Sequence, residues 1–556
     1  MNRAEALLRH NHLKGDMLLS TVSGILTTEP GMVRHFEEKV PSCDIITTKS
    51  YQVTQTFGHR EPVICAVTEG NFGNFVGLRN PGMDAVYPLL EKMYRKPMRA
   101  ILNISLSANS VENFITLVER FDGIADMLEL NFSCPHAQTG FGASIGSSAA
   151  IAADYVEKIV SAVPQRKALL IIKLTPNVDD VGSIAKAVID AGADGVAAIN
   201  TVGPFEHVDP VSGSVIFNRA EGGKGGASGE WVRERALQCV REIRSAIGDE
   251  PILLGMGGVT TSADARAMLE AGADSVGIGS VLSRLEMKDY ENYFAAVKAG
   301  ADVTPFIVRG NKLVYTEHTV LSARTVGGDM RELILSGELD CRPGQFAFLW
   351  IPQVGEKPFS VAGNGPLKFL IKKRGPFTEA CFTLAPGDKV YTRGLYGKPM
   401  RVEKSEKALL IAGGSGVAVL PLIADELKKL GVRQAIRVGV VKKSAPEALE
   451  DVLPLYGDTR YVADDGKPGR VLDTLIADDI AGDTRVYIVG PGKMMDAAAK
   501  KLVSLGMAPD KIALSMEKLT LCGIGMCGEC VCAGKLACKE GTFYSYRELT
   551  EAEETL

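Results

Sequence analysis

Short apolar runs without polar alternation are the feature that most constrains the fold of residues 1–300. They alternate with helical stretches, for example in residues 187–201, 251–258 and 269–280. A strand that lacks polar alternation is buried on both faces, as in a parallel sheet covered by helices. At this length the pattern predicts an N-terminal (β/α)8 TIM barrel, and a doubly wound sheet is the alternative.

Composition and charge exclude several classes of protein. The chain is 46% hydrophobic and 23% charged, as folded proteins are, so it is not disordered. A net charge of −5 gives no electrostatic footprint for nucleic acid. Residues 1–17 lack the apolar stretch of a signal peptide, and no apolar run reaches 18 residues. We therefore expect a cytoplasmic protein with neither a membrane nor a nucleic-acid partner.

The texture of the sequence changes after residue 300. Residues 304–402 are strand-like and rich in Pro-Gly and Gly-Asp turns, which predicts a small antiparallel β-barrel. Residues 403–510 contain a strand, a glycine turn and an amphipathic helix, which is typical of a nucleotide-binding α/β domain. Residues 511–556 form a cysteine-rich segment. The sequence thus predicts a multidomain protein of α/β and β domains.

The cysteines of the last segment have a ligand spacing. Cys522, Cys527 and Cys530 form C-x4-C-x2-C in a glycine frame, which is the spacing of plant-type [2Fe–2S] ferredoxins. Cys538 is the predicted fourth ligand and Cys532 is its competitor. A zinc site and unconnected thiols are the alternatives.

A second motif, GGSGVA at residues 413–418, lies between an apolar strand and a helix. Glycines in such a turn let backbone N–H groups and the helix N-terminus approach a pyrophosphate. The motif is weak alone, but KPFSV and RGPFT precede it and YIVGPGKMM follows it. The alternative is a glycine-rich turn that binds no ligand.

This set of motifs resembles the ferredoxin-reductase-like flavoproteins, whose β-barrel holds FAD through Arg-Pro-x-Ser and whose next domain binds NAD(P)H. Lys357 stands where that family has Arg, and an ammonium neutralises a phosphate without the bidentate fork of a guanidinium. The resemblance implies FAD contacts at Lys357, Pro358, Phe359, Ser360, Gly375 and Thr378, and NAD(P) contacts at Gly413, Gly414, Gly416, Gly490 and Pro491.

With the cysteine motif added, residues 304–556 resemble the electron-transfer subunit of class 1B dihydroorotate dehydrogenase. The fourth ligand of that family lies in a Cys-x-x-Gly-x-x-Phe-like stretch. The segment from Cys538 to Phe543 is one residue shorter, and it still favours Cys538 over Cys532. The choice between NAD and NADP stays open, because Lys442 and Lys443 are either 2′-phosphate contacts or surface charges.

In the N-terminal half, Cys134 follows an apolar strand in the segment LELNFSCPHAQTGFG. Such a cysteine is either a buried structural thiol or a general base whose thiolate accepts a proton from carbon. Lys49 and Lys173 also follow apolar strand runs, which argues against plain surface lysines.

These motifs, with NFVGLRNPG, INTVG, GGASG, GMGG and GIGS, resemble the catalytic subunit of class 1 dihydroorotate dehydrogenase over most of residues 15–290. The resemblance implies that Cys134 removes the C5 proton of dihydroorotate while hydride leaves C6 for FMN N5. It places Lys173 near flavin N1. The implied substrate contacts are Lys49, Asn74, Gly77, Leu78, Asn131, His136, Asn200 and Thr201. The implied FMN contacts are Ser23, Lys49, Asn103, Asn131, Lys173, Gly226, Gly229, Gly257, Gly258, Gly279 and Ser280.

One position departs from that family. His136 stands where the family box has Asn. A neutral imidazole also offers one donor and one acceptor, but its reach differs and its charge changes near neutral pH. The departure leaves room for a related cyclic amide or another reducible alkene as substrate.

The resemblance implies two normally separate subunits fused near residues 300–306. The expected reaction is NAD-linked oxidation of (S)-dihydroorotate to orotate in pyrimidine biosynthesis, with FMN, FAD and a [2Fe–2S] cluster, in a homodimer formed through the barrel. One alternative is an NAD(P)H-dependent reductase of a different substrate. The other is an electron-transfer (diaphorase) module with a non-catalytic barrel. The physiological direction stays open.

Overall fold

The computed structural model describes residues 2–14, 16–133, 145–310, 312–326, 329–440, 452–463 and 471–554. The chain divides into two compact units. Unit 1 comprises Met1–Val208, Val215–Asn311 and Ile524–Glu529, and unit 2 comprises Asp209–Ser214, Lys312–Gly523 and Cys530–Leu556. In the described part of the chain, no helix is both long enough and apolar enough to cross a bilayer.

Unit 1 contains twelve of the described strands and nine of the described helices. The strands are β1 (Leu19–Thr21), β2 (Ile45–Thr47), β3 (Ile64–Thr68), β4 (Asn71–Asn74), β5 (Ile101–Leu106), β6 (Met127–Asn131), β7 (Leu169–Lys173), β8 (Gly195–Ala198), β9 (Val202–Glu206), β10 (Lys224–Gly229), β11 (Ile252–Met256) and β12 (Ser275–Ile278). The helices are α1 (Arg3–Lys14), α2 (Pro30–Lys39), α3 (Met83–Tyr94), α4 (Val111–Phe121), α5 (Ala149–Ala162), α6 (Val181–Asp190), α7 (Arg233–Ile247), α8 (Ser262–Glu270) and α9 (Tyr290–Ala299).

Eight of these strands form a closed parallel barrel in the order β1-β12-β11-β8-β7-β6-β5-β2. Every residue of β5, β6, β7, β8 and β12 is buried, because helices cover the outside of the sheet. The barrel confirms the (β/α)8 prediction, and the doubly wound alternative for this half is wrong. Ile45, Ile101, Met127 and Leu169 fill the amino-terminal end of the barrel, so the polar residues lie towards the carboxyl ends of the strands.

The remaining strands of unit 1 form an antiparallel sheet in the order β3-β4-β10-β9. Its pairing sets Asn74, at the end of β4, opposite Gly226 on β10. The sheet therefore brings two segments that lie 152 residues apart in sequence to one position.

Unit 2 contains the other described strands and helices. The strands are β13 (Thr316–Val326), β14 (Met330–Leu335), β15 (Phe346–Ile351), β16 (Gly355–Ser360), β17 (Gly363–Asn364), β18 (Leu367–Lys372), β19 (Lys389–Tyr396), β20 (Lys407–Gly413), β21 (Arg433–Val440), β22 (Gly457–Ala463), β23 (Thr484–Val489), β24 (Ile512–Ser515), β25 (Val531–Cys532), β26 (Lys535–Leu536) and β27 (Phe543–Ser545). The helices are α10 (Pro376–Cys381), α11 (Leu420–Lys429), α12 (Gly492–Ser504), α13 (Ala537–Glu540) and α14 (Tyr546–Glu551).

Residues 316–396 form one antiparallel sheet in the order β16-β15-β19-β13-β14-β18-β17. We expected a closed barrel here. The pairing of the described residues stays open between β16 and β17, because β17 has two residues and makes only one ladder, with β18.

Residues 407–545 form a sheet in the order β22-β21-β20-β23-β24-β27, in which only β27 is antiparallel. The glycine turn after β20 continues as a 3-10 helix over Gly414–Val419 before α11 begins at Leu420. The strand order reverses between β20 and β23, and open α/β sheets bind ligands at such a switch point.

Candidate functional site

Polar side chains from neighbouring strands meet at the carboxyl end of the barrel in unit 1. Asn131 ends β6, and its Nδ2 donates to Ser50 Oγ at 3.2 Å. Its Oδ1 accepts from Ser133 N at 3.1 Å and from Ser133 Oγ at 2.8 Å. Asn200 Nδ2 then donates to Ser133 Oγ at 2.7 Å, and Thr201 N donates to Asn200 Oδ1 at 2.8 Å. The structure thus joins three predicted site residues, Asn131, Asn200 and Thr201, through Ser133.

A chain of hydroxyl groups continues this network inside the barrel. Ser23 Oγ lies 3.0 Å from Ser50 Oγ, which lies 2.9 Å from Ser105 Oγ. Ser105 Oγ donates to Glu129 Oε1 at 3.0 Å. The sequence analysis missed Ser50, Ser105 and Glu129, although Glu129 is a charged residue in an otherwise apolar strand.

Lys173 and Glu129 form a buried ion pair beside this network. Lys173 Nζ lies 3.6 Å from Glu129 Oε2, and the two side chains are 5% and 1% exposed. Lys173 Nζ also lies 2.9 Å from the sulfur of Met256. A buried charge is tolerated only when it is paired, so Glu129 is the group that compensates Lys173.

Two buried acceptors near this pair have no hydrogen-bond partner among the described residues. They are Asn103 Oδ1 and Glu129 Oε2. Asn103 is fully buried, and its Nδ2 donates to Thr47 Oγ1 at 3.1 Å. Buried acceptors are normally satisfied, and an unmatched one calls for a bound donor. The site therefore fits a ligand that carries N–H or O–H groups, as a flavin with its ribityl chain does.

The remaining predicted residues of unit 1 lie around the barrel mouth and the outer sheet. A Cβ on Gly24, next to Ser23, would lie 3.3 Å from Lys49 Nζ. Asn74 Nδ2 donates to Gly226 O at 3.2 Å. Gly77 packs on His59, and Leu78 O accepts from Asn80 Nδ2 at 2.9 Å. Cys134 and His136 lie outside the described residues.

The glycines predicted to hold the FMN phosphate differ in their surroundings. Gly257 and Gly258 follow β11, and a Cβ there would lie within 3 Å of Ala236 and Arg233. Gly279 follows β12 and precedes Ser280, and a Cβ there would meet only Val22 within 4 Å. Gly229 contacts the backbone of Gly70 instead, which explains this glycine without a ligand.

In unit 2, the residues predicted for FAD lie on β16 and α10. Lys357, Pro358, Phe359 and Ser360 pair with β15 and are half-buried. The ring of Phe359 stacks on Phe377 of α10, with centroids 6.1 Å apart. Thr378 Oγ1 accepts from Gly375 N at 3.0 Å, so Thr378 holds the start of α10. The stacking brings the two predicted motifs together.

The residues predicted for NAD(P) meet at the switch point of the six-stranded sheet. A Cβ on Gly490 would lie 3.0 Å from the backbone of Gly413, and a Cβ on Gly416 would lie 2.5 Å from Val489 O. Pro491 lies against Gly413. The specificity loop with Lys442 and Lys443 lies outside the described residues.

Three of the predicted cluster cysteines interact in unit 2. Hydrogen bonds with Cys522 and Cys530, and then burial, hold the pKa of the Cys538 thiol well above its usual range. Cys532 instead packs in a core with Tyr544 and Leu549, where burial raises its pKa to about 12. Within the described ranges, no three or more His, Cys, Asp or Glu side chains form a group that could hold a metal ion.

This arrangement bears on the kind of metal centre that the cysteines fit. A zinc ion needs four donors around one point, which the described side chains do not offer. A [2Fe–2S] core is held by four cysteines, and three buried thiols joined through Cys538 suit such a donor set. Cys527 belongs to unit 1, where Thr28 Oγ1 donates to its carbonyl oxygen at 2.6 Å.

Comparison with known proteins finds two kinds of similar protein. A family model described as dihydroorotate dehydrogenase matches residues 26–297. The dihydroorotate dehydrogenase B (NAD(+)) catalytic subunit of Methanopyrus kandleri is 35% identical over 247 residues, which cover 44% of this chain and 76% of that protein. The probable dihydroorotate dehydrogenase B (NAD(+)) electron transfer subunit of Thermococcus kodakarensis is 31% identical over 239 residues, which cover 42% of this chain and 98% of that protein.

Proposed function

Since the chain belongs to the dihydroorotate dehydrogenase family, we propose that it oxidises (S)-dihydroorotate with NAD⁺ and yields orotate, NADH and a proton. FMN is held in the barrel, and FAD, a [2Fe–2S] cluster and NAD are held by the C-terminal half. Similarity to both a catalytic and an electron transfer subunit supports a fusion of the two in one polypeptide.

The observation that carries the proposal is the polar network at the carboxyl end of the barrel. Its unmatched buried acceptors, Asn103 Oδ1 and Glu129 Oε2, fit a ligand with donor groups. Its one buried cation is Lys173, whose positive charge favours a ligand that gains negative charge. Active sites of such barrels lie at this end of the strands.

The residues of this network have distinct proposed roles. Asn131 and Asn200 are held by Ser133 with their amides fixed, so they can orient a ring with amide and carbonyl groups without first losing rotamer freedom. Lys173 stabilises negative charge, and Cys134 is the base that accepts the C5 proton. When bound, FMN would accept a hydride, the cluster would pass single electrons, and FAD would exchange a hydride with NAD.

Spectra of the anaerobic protein test the proposal. Addition of dihydroorotate to protein of known flavin content bleaches the flavin absorbance, at a rate close to that of NAD⁺ reduction. Cys134→Ala abolishes this bleaching and leaves NADH-to-dye activity in place. Cys239→Ala is the matched control, since Cys239 is a buried barrel thiol on α7 whose pKa burial raises to about 11.

A second candidate is an NADH-dependent reductase of a different cyclic amide, favoured by His136 in place of the family Asn. Under this alternative, NADH bleaches the flavin fully and dihydroorotate does not. A third outcome separates the diaphorase alternative, in which Cys134→Ala changes no turnover with any cyclic amide while NADH-to-dye activity persists.

A further inference from the structure

Unit 2 contains a buried charged residue that the proposed reaction does not assign. Arg393 lies on β19 with its side chain 1% exposed, and its partner Glu356 is 0% exposed. Arg393 Nε donates to Glu356 Oε2 at 2.6 Å, and Nη2 donates to Glu356 Oε1 at 2.5 Å. Tyr315 OH also donates to Glu356 Oε2 at 2.6 Å. The carboxylate is therefore fully engaged on the side away from the cysteines.

The other donors of the guanidinium bind the loop that carries the first cysteine. Arg393 Nη1 donates to Cys522 O at 2.9 Å, and Nη2 donates to Leu521 O at 3.3 Å. Nη1 also donates to Tyr396 Oη at 2.7 Å. All five N–H donors of Arg393 are thus used, and two of them end on backbone carbonyls of this loop.

Aromatic rings enclose the guanidinium and the loop. Arg393 Cζ lies 4.0 Å from the centroid of the Phe348 ring. Gly523, directly after the cysteine, lies against the ring of Tyr396, where a Cβ would come within 2.7 Å. Its φ of +81° is in the left-handed region, so only glycine fits this contact without strain. Leu521, Cys522 and Gly523 therefore have one allowed position on β19.

We propose that Arg393 is a positioning residue for the iron–sulfur centre, which fixes the Cys522 loop and makes the cluster easier to reduce. This inference rests on the cluster of the proposed function. The ion pair is a dipole whose positive end touches the loop and whose negative end, Glu356, faces Tyr315. Charge-assisted hydrogen bonds that withdraw electron density from a ligand loop stabilise the reduced form.

The main test is a charge-balanced double variant, Arg393→Gln with Glu356→Gln, which leaves no unpaired buried charge. The cluster potential is measured by redox titration followed by electron paramagnetic resonance. We expect the ratio of reduced to oxidised cluster at a fixed potential to fall about tenfold, which is about 59 mV for one electron. Arg437→Gln with Asp479→Asn is the matched control, since Arg437 is also 1% exposed and paired at 2.8 Å, on β21. The control leaves the potential unchanged.

Arg393→Lys keeps the test decisive if the double variant does not fold. A lysine keeps the charge but cannot reach both carbonyls and both carboxylate oxygens. We expect it to retain the cluster with a smaller shift, while amide exchange of residues 521–523 rises at least tenfold. Unchanged exchange in this variant, or a full complement of iron at an unchanged potential in the double variant, overturns the inference. Wild-type protein that cannot be loaded with a [2Fe–2S] cluster overturns the proposed function itself, and the inference with it.

Discussion

Replacing Glu129 with Gln tests the assignment of the buried ion pair in the barrel. The substitution keeps the shape of the side chain and its hydrogen bond with Ser105, and it removes the charge that faces Lys173 at 3.6 Å. At an effective dielectric constant of about 20, two unit charges at this distance attract by roughly 4–5 kcal/mol. Removing one partner of a buried pair costs about 3–5 kcal/mol, because the other charge is left uncompensated.

We therefore expect the free energy of local opening to fall by about 3 kcal/mol, because the Gln dipole retains part of the interaction. Hydrogen exchange of the β6 and β7 amides in flavin-free protein measures it, and the exchange rates should rise by roughly two orders of magnitude. The control is Asp190→Asn, which breaks the exposed pair of Lys186 and Asp190 and should change opening by less than about 1 kcal/mol. Exchange that rises no more in Glu129→Gln than in this control would refute the reasoning.

The same variant has an opposite effect on the bound flavin. Lys173 without Glu129 presents a less compensated positive charge, which stabilises a flavin that gains negative charge on reduction. The midpoint potential of FMN in Glu129→Gln should therefore rise relative to the wild type. A potential that falls would show that Lys173 does not act on the flavin.

Three further outcomes follow from particular contacts. Cys538→Ala should abolish the visible absorbance and the iron content of the cluster, whereas Cys532→Ala, in an apolar core, should keep both. Burial lowers the pKa of His207, so the folded state favours the neutral ring; stability is present above about pH 6.5 and is lost as the pH falls, by at most about 1.4 kcal/mol per pH unit. His207→Phe should flatten this pH dependence in urea unfolding. A Cβ on Gly528 would lie 1.9 Å from Leu26 O, so Gly528→Ala should displace residues 524–529 and speed exchange of the Leu26 amide.

The sequence predicts the barrel well because its signal is local. Five barrel strands are apolar at every buried position, and each is bounded by turn residues, so the pattern alone indicates a parallel sheet. The antiparallel sheet of unit 2 is less predictable. Whether it closes depends on the length of one ladder, and β17 has only two residues.

The candidate site was predicted in part. Asn131 and Lys173 end adjacent strands, and the pairing of β6 with β7 sets these two residues opposite each other. Glu129 lies two residues before Asn131 and so faces the same side of the sheet. A charge at that position in an apolar strand was a usable signal for a partner of Lys173. Ser50 and Ser105 carry no such signal, because small hydroxyl residues occur in buried strands of every kind.

Arg393 could not be found from the sequence, since its partners are distant along the chain. Glu356 lies 37 residues before it, and Cys522 lies 129 residues after it. Each unit thus buries one cation beside a proposed redox centre, Lys173 in unit 1 and Arg393 in unit 2. Buried ion pairs rarely stabilise a fold more than apolar side chains of the same volume. If these pairs serve electron transfer, replacing either pair by Met and Leu should preserve or raise stability and still shift the potential of the neighbouring centre. If they serve the fold alone, the same replacement should leave that potential unchanged.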